Sequence, residues 1–204
     1  MGDTSPPGWQ PPPIPWLYGN WKITYSSQPG YQFLPNFQAD HYPVLPQAPP
    51  DVYRQVDLTS WSLFNSTSTG VFTAFGYIDP LFAIDPTGFT YNFTGTGFAA
   101  ALTNIWELMA WGYDTAGDGY SVIYETPPEP GLPADVTISS RVETGPTAAT
   151  MKAILAQMVA LGNAEISGYA AGMLKIPLDG RRTGQPPVVC DASCIQNVDL
   201  VPAS

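Results

Sequence analysis

The only histidine of the chain, His41, limits the chemistry that this sequence can perform. A Ser–His–Asp triad needs a histidine as its general base, so any such triad must use this residue. His41 lies between Asp40 and Tyr42 in a stretch, 28–51, that contains six prolines. Because proline interrupts helices and strands, we expect this stretch to be an irregular loop, either a functional lid or a disordered segment. His41 is then either a lid residue or, as we favour, an ordinary solvated one.

Glu107 is the carboxyl best placed for acid–base work if its strand turns that face inward. A period of two in residues 104–113 puts on one face Ile105, Glu107, Met109, Trp111 and Tyr113. A carboxyl among apolar neighbours has a raised pKa and can act as a general acid or base. On an outward face it would only aid solubility, and the pattern fits both orientations. Asp57 and Glu125 carry the same ambiguity.

Aromatic side chains on other strands are candidate walls for a binding cavity. Rings with polar tips can stack on an apolar ligand and also hydrogen-bond to it. Besides Glu107, the candidate ligand contacts are Tyr25, Tyr53, Trp61, Met109, Trp111 and Tyr124. Packing in the core explains each of them equally well, and both interpretations stay open.

Two partial matches to ligand-binding motifs are better explained by turns. Residues 95–100 imitate a dinucleotide-binding glycine pattern, but no helix pattern follows them. Four positions of a calcium loop are matched by Asp114, Asp118, Gly119 and Glu125, yet Ala116 takes the third position and no helices flank the loop. We therefore expect two tight turns, no metal and no cofactor.

Cysteines and sequons bear on the cellular compartment. Cys190 and Cys194 could close a small disulfide loop or remain free thiols, and the single histidine argues against a zinc site. Asn65 and Asn92 begin sequons that would accept glycans in a secreted protein. The amino terminus carries no apolar signal segment. We expect secretion after removal of a signal peptide, with the cytoplasm as the alternative.

The composition favours one all-β domain. The length of 204 residues suits a single barrel, and the net charge of −10 argues against nucleic acid as a partner. No apolar run reaches the roughly 18 residues that a membrane helix needs. The chain is rich in aromatic residues, with 23 prolines and 19 glycines, which is typical of many short strands joined by turns.

The alternation of apolar and polar residues predicts about eight strands followed by one helix. The predicted strands are 19–27, 52–65, 71–78, 81–84, 88–94, 104–113, 120–125 and 135–142, with a short one at 172–176. Between the strands 135–142 and 172–176, a period of 3.6 places apolar residues on one face of a helix at 146–161. An antiparallel meander with one late helix fits a closed barrel.

Three stretches of this order resemble the lipocalins, a calycin family. Gly19-Asn20-Trp21 is similar to the family's Gly-x-Trp motif. The hairpin 106–124 resembles the family's second motif, although the Thr-Asp pair of its turn is missing. Arg141, shortly before the helix, matches the family's arginine. The usual disulfide that ties the carboxyl-terminal tail to a strand is absent.

This resemblance implies an up-and-down antiparallel barrel with its helix packed outside. Gly19, Trp21 and Arg141 would then close the floor, with the arginine across the tryptophan in a cation–π contact. The barrel domain is expected at 16–178. Composition adds a proline-rich lead (1–15) and a carboxyl-terminal tail (179–204), which is polar and contains proline and is expected to be loosely held from residue 180 onward.

The resemblance leaves two functions open. The first is binding of a small hydrophobic or aromatic molecule in the barrel, without a cofactor. The alternative is a cofactor-independent cyclase or isomerase of natural-product biosynthesis, including Diels–Alderase-like pericyclases, since fungal biosynthetic cyclases share this fold. Such an enzyme would act by holding its substrate in a reactive shape, with Glu107 or His41 as the catalytic group.

Overall fold

The computed structural model of the protein describes residues 10–44, 53–62 and 71–184. Asn65, Cys190 and Cys194 lie outside the described residues, so the first sequon and the cysteine pair stay predictions.

Within the described residues, eight antiparallel strands form a closed barrel, which confirms the lipocalin-like fold class. Neighbouring strands pair in chain order, and β1 closes the circle by pairing with both β2 and β8. The short β9 pairs with the last residues of β1. The strands are β1 (Gly19–Ser26), β2 (Gln38–Pro43), β3 (Gln55–Ser62), β4 (Val71–Pro80), β5 (Thr90–Gly95), β6 (Thr103–Tyr113), β7 (Gly119–Glu125), β8 (Asp135–Ser140) and β9 (Leu174–Lys175).

Two helices, α1 (Ala148–Ala160) and α2 (Ala164–Ala171), pack on the outer face of β7 and β8. The first helix is the predicted one, and it begins after Thr147, whose side chain accepts a hydrogen bond from the Thr150 amide. Its buried face carries Met151, Ile154 and Met158 at the spacing of an amphipathic helix. The second helix was not predicted. It begins at the next capping residue, Asn163, directly after α1 ends.

The expectation of an irregular loop over 28–51 is wrong, because β2 lies in its middle. Residues 36–42 contain no proline, so the backbone donors needed for pairing are present. Pro43 takes the last position of the strand, where it interrupts little of the ladder.

The predicted strand at 81–84 is wrong as well. This apolar run is a turn, with the amides of Ile84 and Asp85 bonded to the carbonyl of Leu81. The Asp85 carboxylate accepts hydrogen bonds from three backbone amides that follow it, which fixes the turn. Apolar content alone therefore misled the prediction of a strand.

The strand directions define a closed end, the floor, and an open end, the mouth. At the floor the 3-10 helix Ile14–Leu17 lies across the barrel, and the Arg141 guanidinium stands 3.5 Å over the Trp21 ring. Arg141 also donates hydrogen bonds to the carbonyls of Trp16, Tyr18 and Asn20. The structure thus places Arg141 across Trp21 as the family resemblance implies.

The start of the tail, residues 179–184, is not loosely held. Arg182 is buried and donates to the carbonyl oxygens of Asn36 and Ser60 and to the Ser60 hydroxyl. The Asp179 carboxylate accepts a hydrogen bond from the Asn36 amide group. These contacts fasten the tail to the outside of β2 and β3.

Candidate functional site

A cavity of about 220 Å³ lies inside the barrel between the floor and the mouth. Its apolar wall is formed by Leu17, Trp21, Ile23, Tyr31, Phe37, Ala39, Ala74, Phe93, Ala99, Leu102, Trp106, Ile123, Pro128, Leu132 and Pro133. Tyr31, in the 3-10 helix that follows β1, and Leu132, between β7 and β8, narrow the mouth. An apolar, mostly enclosed space of this kind is typical of small-molecule sites.

The cavity also has a polar wall, with more polar groups than expected for a hydrophobic binding site. Its polar members are Gln28, His41, Asp57, Thr59, Asn104, Ser121, Glu125, Asp135, Thr137 and Ser139. Three of these are carboxyl groups, and no lysine or arginine of the described chain lines the cavity. Every second residue of β3, β7 and β8 contributes, because alternate side chains of a strand point to the same face. The pleat of the barrel therefore aims these groups inward.

His41 lies inside the barrel, so the expectation of a solvated loop residue is wrong. In β2 it is directly opposite Gly19 of β1 and Asp57 of β3, near the floor. Only 5% of His41 is exposed, and its ring centroid lies 6.2 Å from that of Trp106. Burial lowers the pKa of His41 to about 4, against the smaller opposing effect of Asp40. The imidazole is therefore neutral at physiological pH.

Asp57 faces His41 across the strand pair. The distance from its Oδ1 atom to His41 Nδ1 is 3.7 Å, which is too long for a hydrogen bond. Neither atom has a hydrogen-bond partner among the described residues. Burial raises the pKa of Asp57 to about 7, so a large fraction of this carboxyl is protonated at neutral pH.

Two further carboxyls lie nearer the mouth. Glu125 accepts a hydrogen bond from the Asn104 amide at 3.3 Å, and Asp135 accepts one from the Ser26 hydroxyl at 3.2 Å. Burial raises the pKa of Asp135 to about 6. Burial, with added repulsion from Asp135 and Asp57, holds the pKa of Glu125 well above its usual range. Burial thus favours the protonated, hydrogen-bond-donating form of these carboxyl groups more than it is favoured in water.

An aromatic stack borders this polar group. Trp106 of β6 and Tyr91 of β5 stack with their ring centroids 4.3 Å apart and an interplanar angle of 20°. The Tyr91 hydroxyl accepts a hydrogen bond from the buried Gln55 amide. The position of the Trp106 ring is therefore fixed on one side, while it lines the cavity on the other.

Glu107 and Tyr124, a cross-strand pair, lie on the outer face of the barrel. Glu107 is exposed, and Tyr124 packs against the cluster beneath the helices. Neither lines the cavity, so a ligand held there would not reach Glu107. The inward positions of β6 and β7 are instead the neighbouring ones, Trp106 and Glu125.

A β-bulge moves Tyr25 out of the cavity. A shift in pairing between Ile23 and Tyr25 turns Tyr25 outward beneath the helices, although Trp21 and Ile23 point inward. Met109 shares the outward face of Glu107 by simple alternation and also packs beneath the helices. A second shift, between Leu108 and Ala110, reverses the alternation only beyond Met109, so Trp111 does not share that face.

The remaining predicted contacts lie at the ends of the barrel. Trp111 packs at the floor, 5.0 Å from Trp16, and donates to the carbonyl of Gln10. Trp61, near the mouth, stacks on Phe72 and does not line the cavity. Tyr53, which precedes β3, is exposed and contacts Phe82. Of the candidate residues named from the sequence, His41, Asp57 and Glu125 lie in the polar wall. The second sequon residue, Asn92, is partly exposed in β5 and donates to the Thr94 hydroxyl.

Both partial motifs are turns, as expected. The Asp114 carboxylate accepts hydrogen bonds from the amides of Ala116, Asp118 and Thr147. Its oxygens are therefore used to hold the turn together. Residues Gly97–Ala99 form a 3-10 helix between β5 and β6. In the described part of the chain, no group of three or more His, Cys, Asp or Glu side chains is arranged to hold a metal ion. Nor is any helix of that part long and apolar enough to cross a membrane.

A curated protein covers almost the whole chain. The botcinic acid biosynthesis cluster B protein 12 of Botryotinia fuckeliana (strain B05.10) is 30% identical over 203 residues, which are 98% of this chain and 89% of that protein. No family model matches the chain.

Solved structures with the same fold are lipocalins of low sequence identity. Lobster apocrustacyanin A1 superposes with a TM-score of 0.51 at 10% identity, over 79% of this chain and 77% of its own. The siderocalin Ex-FABP gives 0.51 at 12% identity, over 91% and 98%. The amine-binding protein of Rhodnius prolixus, in complex with tryptamine, gives 0.50 at 13% identity, over 88% and 85%. At these identities the likeness concerns the fold alone.

Proposed function

This chain belongs to the family of the botcinic acid biosynthesis cluster B protein 12 and has a lipocalin fold, and from that premise we propose that it binds a small molecule of natural-product biosynthesis inside its barrel. The observation that carries the proposal is the cavity itself. It is closed at the floor by Trp21, has aromatic walls and contains polar atoms that have no hydrogen-bond partner among the residues that the structure describes. A barrel filled by its own side chains would serve a structural role instead.

The chemistry of the wall restricts the ligand. Asp57, Glu125 and Asp135 face the cavity without a lysine or arginine among the described lining residues. A bound anion would meet these carboxyls in a medium of low dielectric constant, where repulsion is strong. We therefore propose a ligand that is uncharged or cationic, with an apolar body and at least one polar group. A carbonyl oxygen on such a ligand would accept a hydrogen bond from the protonated form of these carboxyls.

The size of the cavity favours a compact ligand. Its volume of about 220 Å³ is below the roughly 300–1,000 Å³ of drug-sized sites. A molecule of one or two fused rings fits this range, and a longer one would extend through the mouth between Tyr31 and Leu132.

Titration with prodan, a compact uncharged naphthalene ketone whose fluorescence rises in apolar surroundings, tests the proposal. We expect one prodan per chain. Substitution of Ala74, which lines the cavity, by Trp (Ala74→Trp) should abolish binding. The matched control is Ala153→Trp on the exposed face of α1, which should bind as the wild type does. Equal binding by both variants would place the dye elsewhere and contradict the proposal.

A cofactor-independent cyclase or isomerase is the second candidate function. The observation that favours it is the facing pair of His41 and Asp57, two groups able to move protons, inside an enclosed cavity. Reconstitution of the biosynthetic pathway with and without this chain tests it. A catalyst changes the product or speeds its formation, whereas a carrier leaves both unchanged.

A further inference from the structure

We propose that His41 and Asp57 together enolise a carbonyl compound bound in the cavity, with His41 taking the proton from carbon and Asp57 giving one to oxygen. The substrate class is a planar, uncharged ketone or related carbonyl compound with an acidic C–H next to the carbonyl group. The inference rests on the proposed function, since it needs a ligand in the same cavity.

The geometry first shows two polar atoms that lack a partner. His41 Nδ1 and Asp57 Oδ1 both face the cavity, and neither is hydrogen-bonded to a described residue. A buried polar atom without a partner destabilises the fold, so such a pair persists only where something else compensates for it. The 3.7 Å between the two atoms is too long for them to satisfy each other. A ligand that spans both atoms would supply the missing partners.

The spacing suits a carbonyl group and its neighbouring carbon. The oxygen and the α-hydrogen of a ketone are separated by one C–C bond, so two groups a few ångströms apart can contact both at once. The ring of Trp106, held by its stack on Tyr91, offers a flat apolar surface 6.2 Å from the His41 ring centroid. A planar substrate would lie against it with its carbonyl turned toward the pair.

The surrounding charges favour the required protonation states. Asp40 on the same strand and a backbone hydrogen bond to Val56 of β3 raise the pKa of His41, and Arg141 after β8 lowers it. Asp57 of β3 faces His41 at 3.7 Å, and Glu125 of β7 lies near Asp57. Burial outweighs these effects and lowers the pKa of His41 to about 4, while it raises the pKa of Asp57 to about 7. Between those values the imidazole is a neutral acceptor and the carboxyl is a donor. Two groups with pKa values pushed apart in this way are typical of acid–base catalysis.

The step conserves atoms and electrons. Nδ1 of the neutral imidazole removes the α-proton, the C–H electron pair becomes the new C=C bond, and the C=O π pair takes the proton of Asp57. The products are an enol, an imidazolium and a carboxylate. Return of the imidazolium proton to the α-carbon regenerates the ketone. Isomerisation follows when the substrate carries a β,γ C=C bond, so that the enol is a dienol. The dienol π electrons then take the imidazolium proton at the γ-carbon while the carboxylate recovers the hydroxyl proton, and no oxidant or cofactor is consumed.

Deuterium exchange at the benzylic α-carbon of 2-tetralone, followed by proton NMR in D₂O, tests the inference. We expect the wild-type protein to speed exchange above the buffer rate. His41→Gln and Asp57→Asn should each lower the protein-catalysed rate by about 100-fold. Glu107→Gln, outside the barrel, is the matched control and should exchange as the wild type does. Binding of 2-tetralone is measured separately by displacement of prodan.

The pH profile of the wild type keeps the test independent of whether the variants fold. Catalysed exchange should be greatest between pH values of about 4 and about 7, falling on either side as His41 gains or Asp57 loses its proton. Binding of 2-tetralone without catalysed exchange would overturn this inference and leave the proposed function standing. Absence of binding, for prodan as well, would overturn both.

Discussion

The floor of the barrel and the His41–Asp57 part of the cavity both enclose polar groups but differ in how these groups are satisfied. At the floor, Arg141 donates hydrogen bonds to three backbone carbonyls, and its guanidinium also covers the Trp21 ring. A few ångströms further into the barrel, His41 Nδ1 and Asp57 Oδ1 have no partner among the described residues. One region is complete within the protein and the other is not.

The contrast separates structure from function inside a single barrel. A satisfied cluster lowers the free energy of the fold and gains nothing from a ligand. An unsatisfied pair raises that free energy, and a ligand that supplies the missing hydrogen bonds recovers it. Substitutions at the floor should therefore lower stability, whereas substitution of an unsatisfied group in the cavity should change binding and stabilise the free protein.

The largest effect is expected for Arg141→Ala. Loss of the guanidinium leaves the carbonyls of Trp16, Tyr18 and Asn20 without their donor and removes the contact with Trp21. We expect the free energy of unfolding to fall by about 3–5 kcal/mol, measured by urea denaturation. Lys152→Ala, on the exposed face of α1, is the control and should change it by less than about 0.5 kcal/mol. A similar decrease in unfolding free energy for both variants would contradict the proposal that Arg141 stabilises the floor.

A smaller effect, of opposite sign, is expected at Asp57 and should depend on pH. Its pKa of about 7 in the folded protein exceeds the unfolded value of 3.8, so its contribution to stability is full below pH 3.8 and is lost as the pH rises through 7. Asp57→Asn removes this loss. Relative to the wild type, the variant should gain on the order of 2–4 kcal/mol between about pH 4 and pH 8. A difference that stays constant with pH would mean that Asp57 is not held protonated in the fold.

The smallest of the three effects concerns Gly19, which tests how tightly the floor is packed. Its φ is +95°, and a Cβ atom there would lie 3.3 Å from Arg141 Nη1. Gly117 has a nearly equal φ of +92° with nothing within 4 Å, and so provides a matched control. Gly117→Ala should cost about 1 kcal/mol from backbone strain alone. Gly19→Ala should lower the free energy of unfolding, measured by urea denaturation, by more than this, because Arg141 must also shift. Equal decreases for the two variants would mean that the floor can accept a Cβ atom without movement of Arg141.

The sequence predicted the frame of this protein better than its lining. The Gly-x-Trp motif, the late arginine and the periodicity of α1 depend on local spacing, and the structure places all three as expected. The barrel also followed from the alternation of residues. Prolines were weighted too heavily, since β2 needs only the short proline-free interval between Pro35 and Pro43.

Single bulges explain why the cavity was harder to predict. Alternation predicts which side chains of a strand share a face only as far as the next bulge. Thr24 and Met109 are extra residues of this kind, and beyond each of them the alternation is reversed. A bulge depends on pairing between strands distant in sequence, so no local pattern marks these two. Trp106, opposite Glu125, could have been found by choosing the other face of β6. Asp135 had no signal beyond its position at the start of a strand.

The nitrogen-15 NMR spectrum of the His41 imidazole tests the central claim most directly. Because His41 is the only histidine, its signals in untagged, histidine-labelled protein need no assignment. We expect a neutral ring down to a pH of about 4 in the free protein, and a shift of the Nδ1 resonance when prodan saturates the cavity. An imidazole that titrates near 6.5 and does not respond to prodan would show that His41 is neither buried nor part of a binding site.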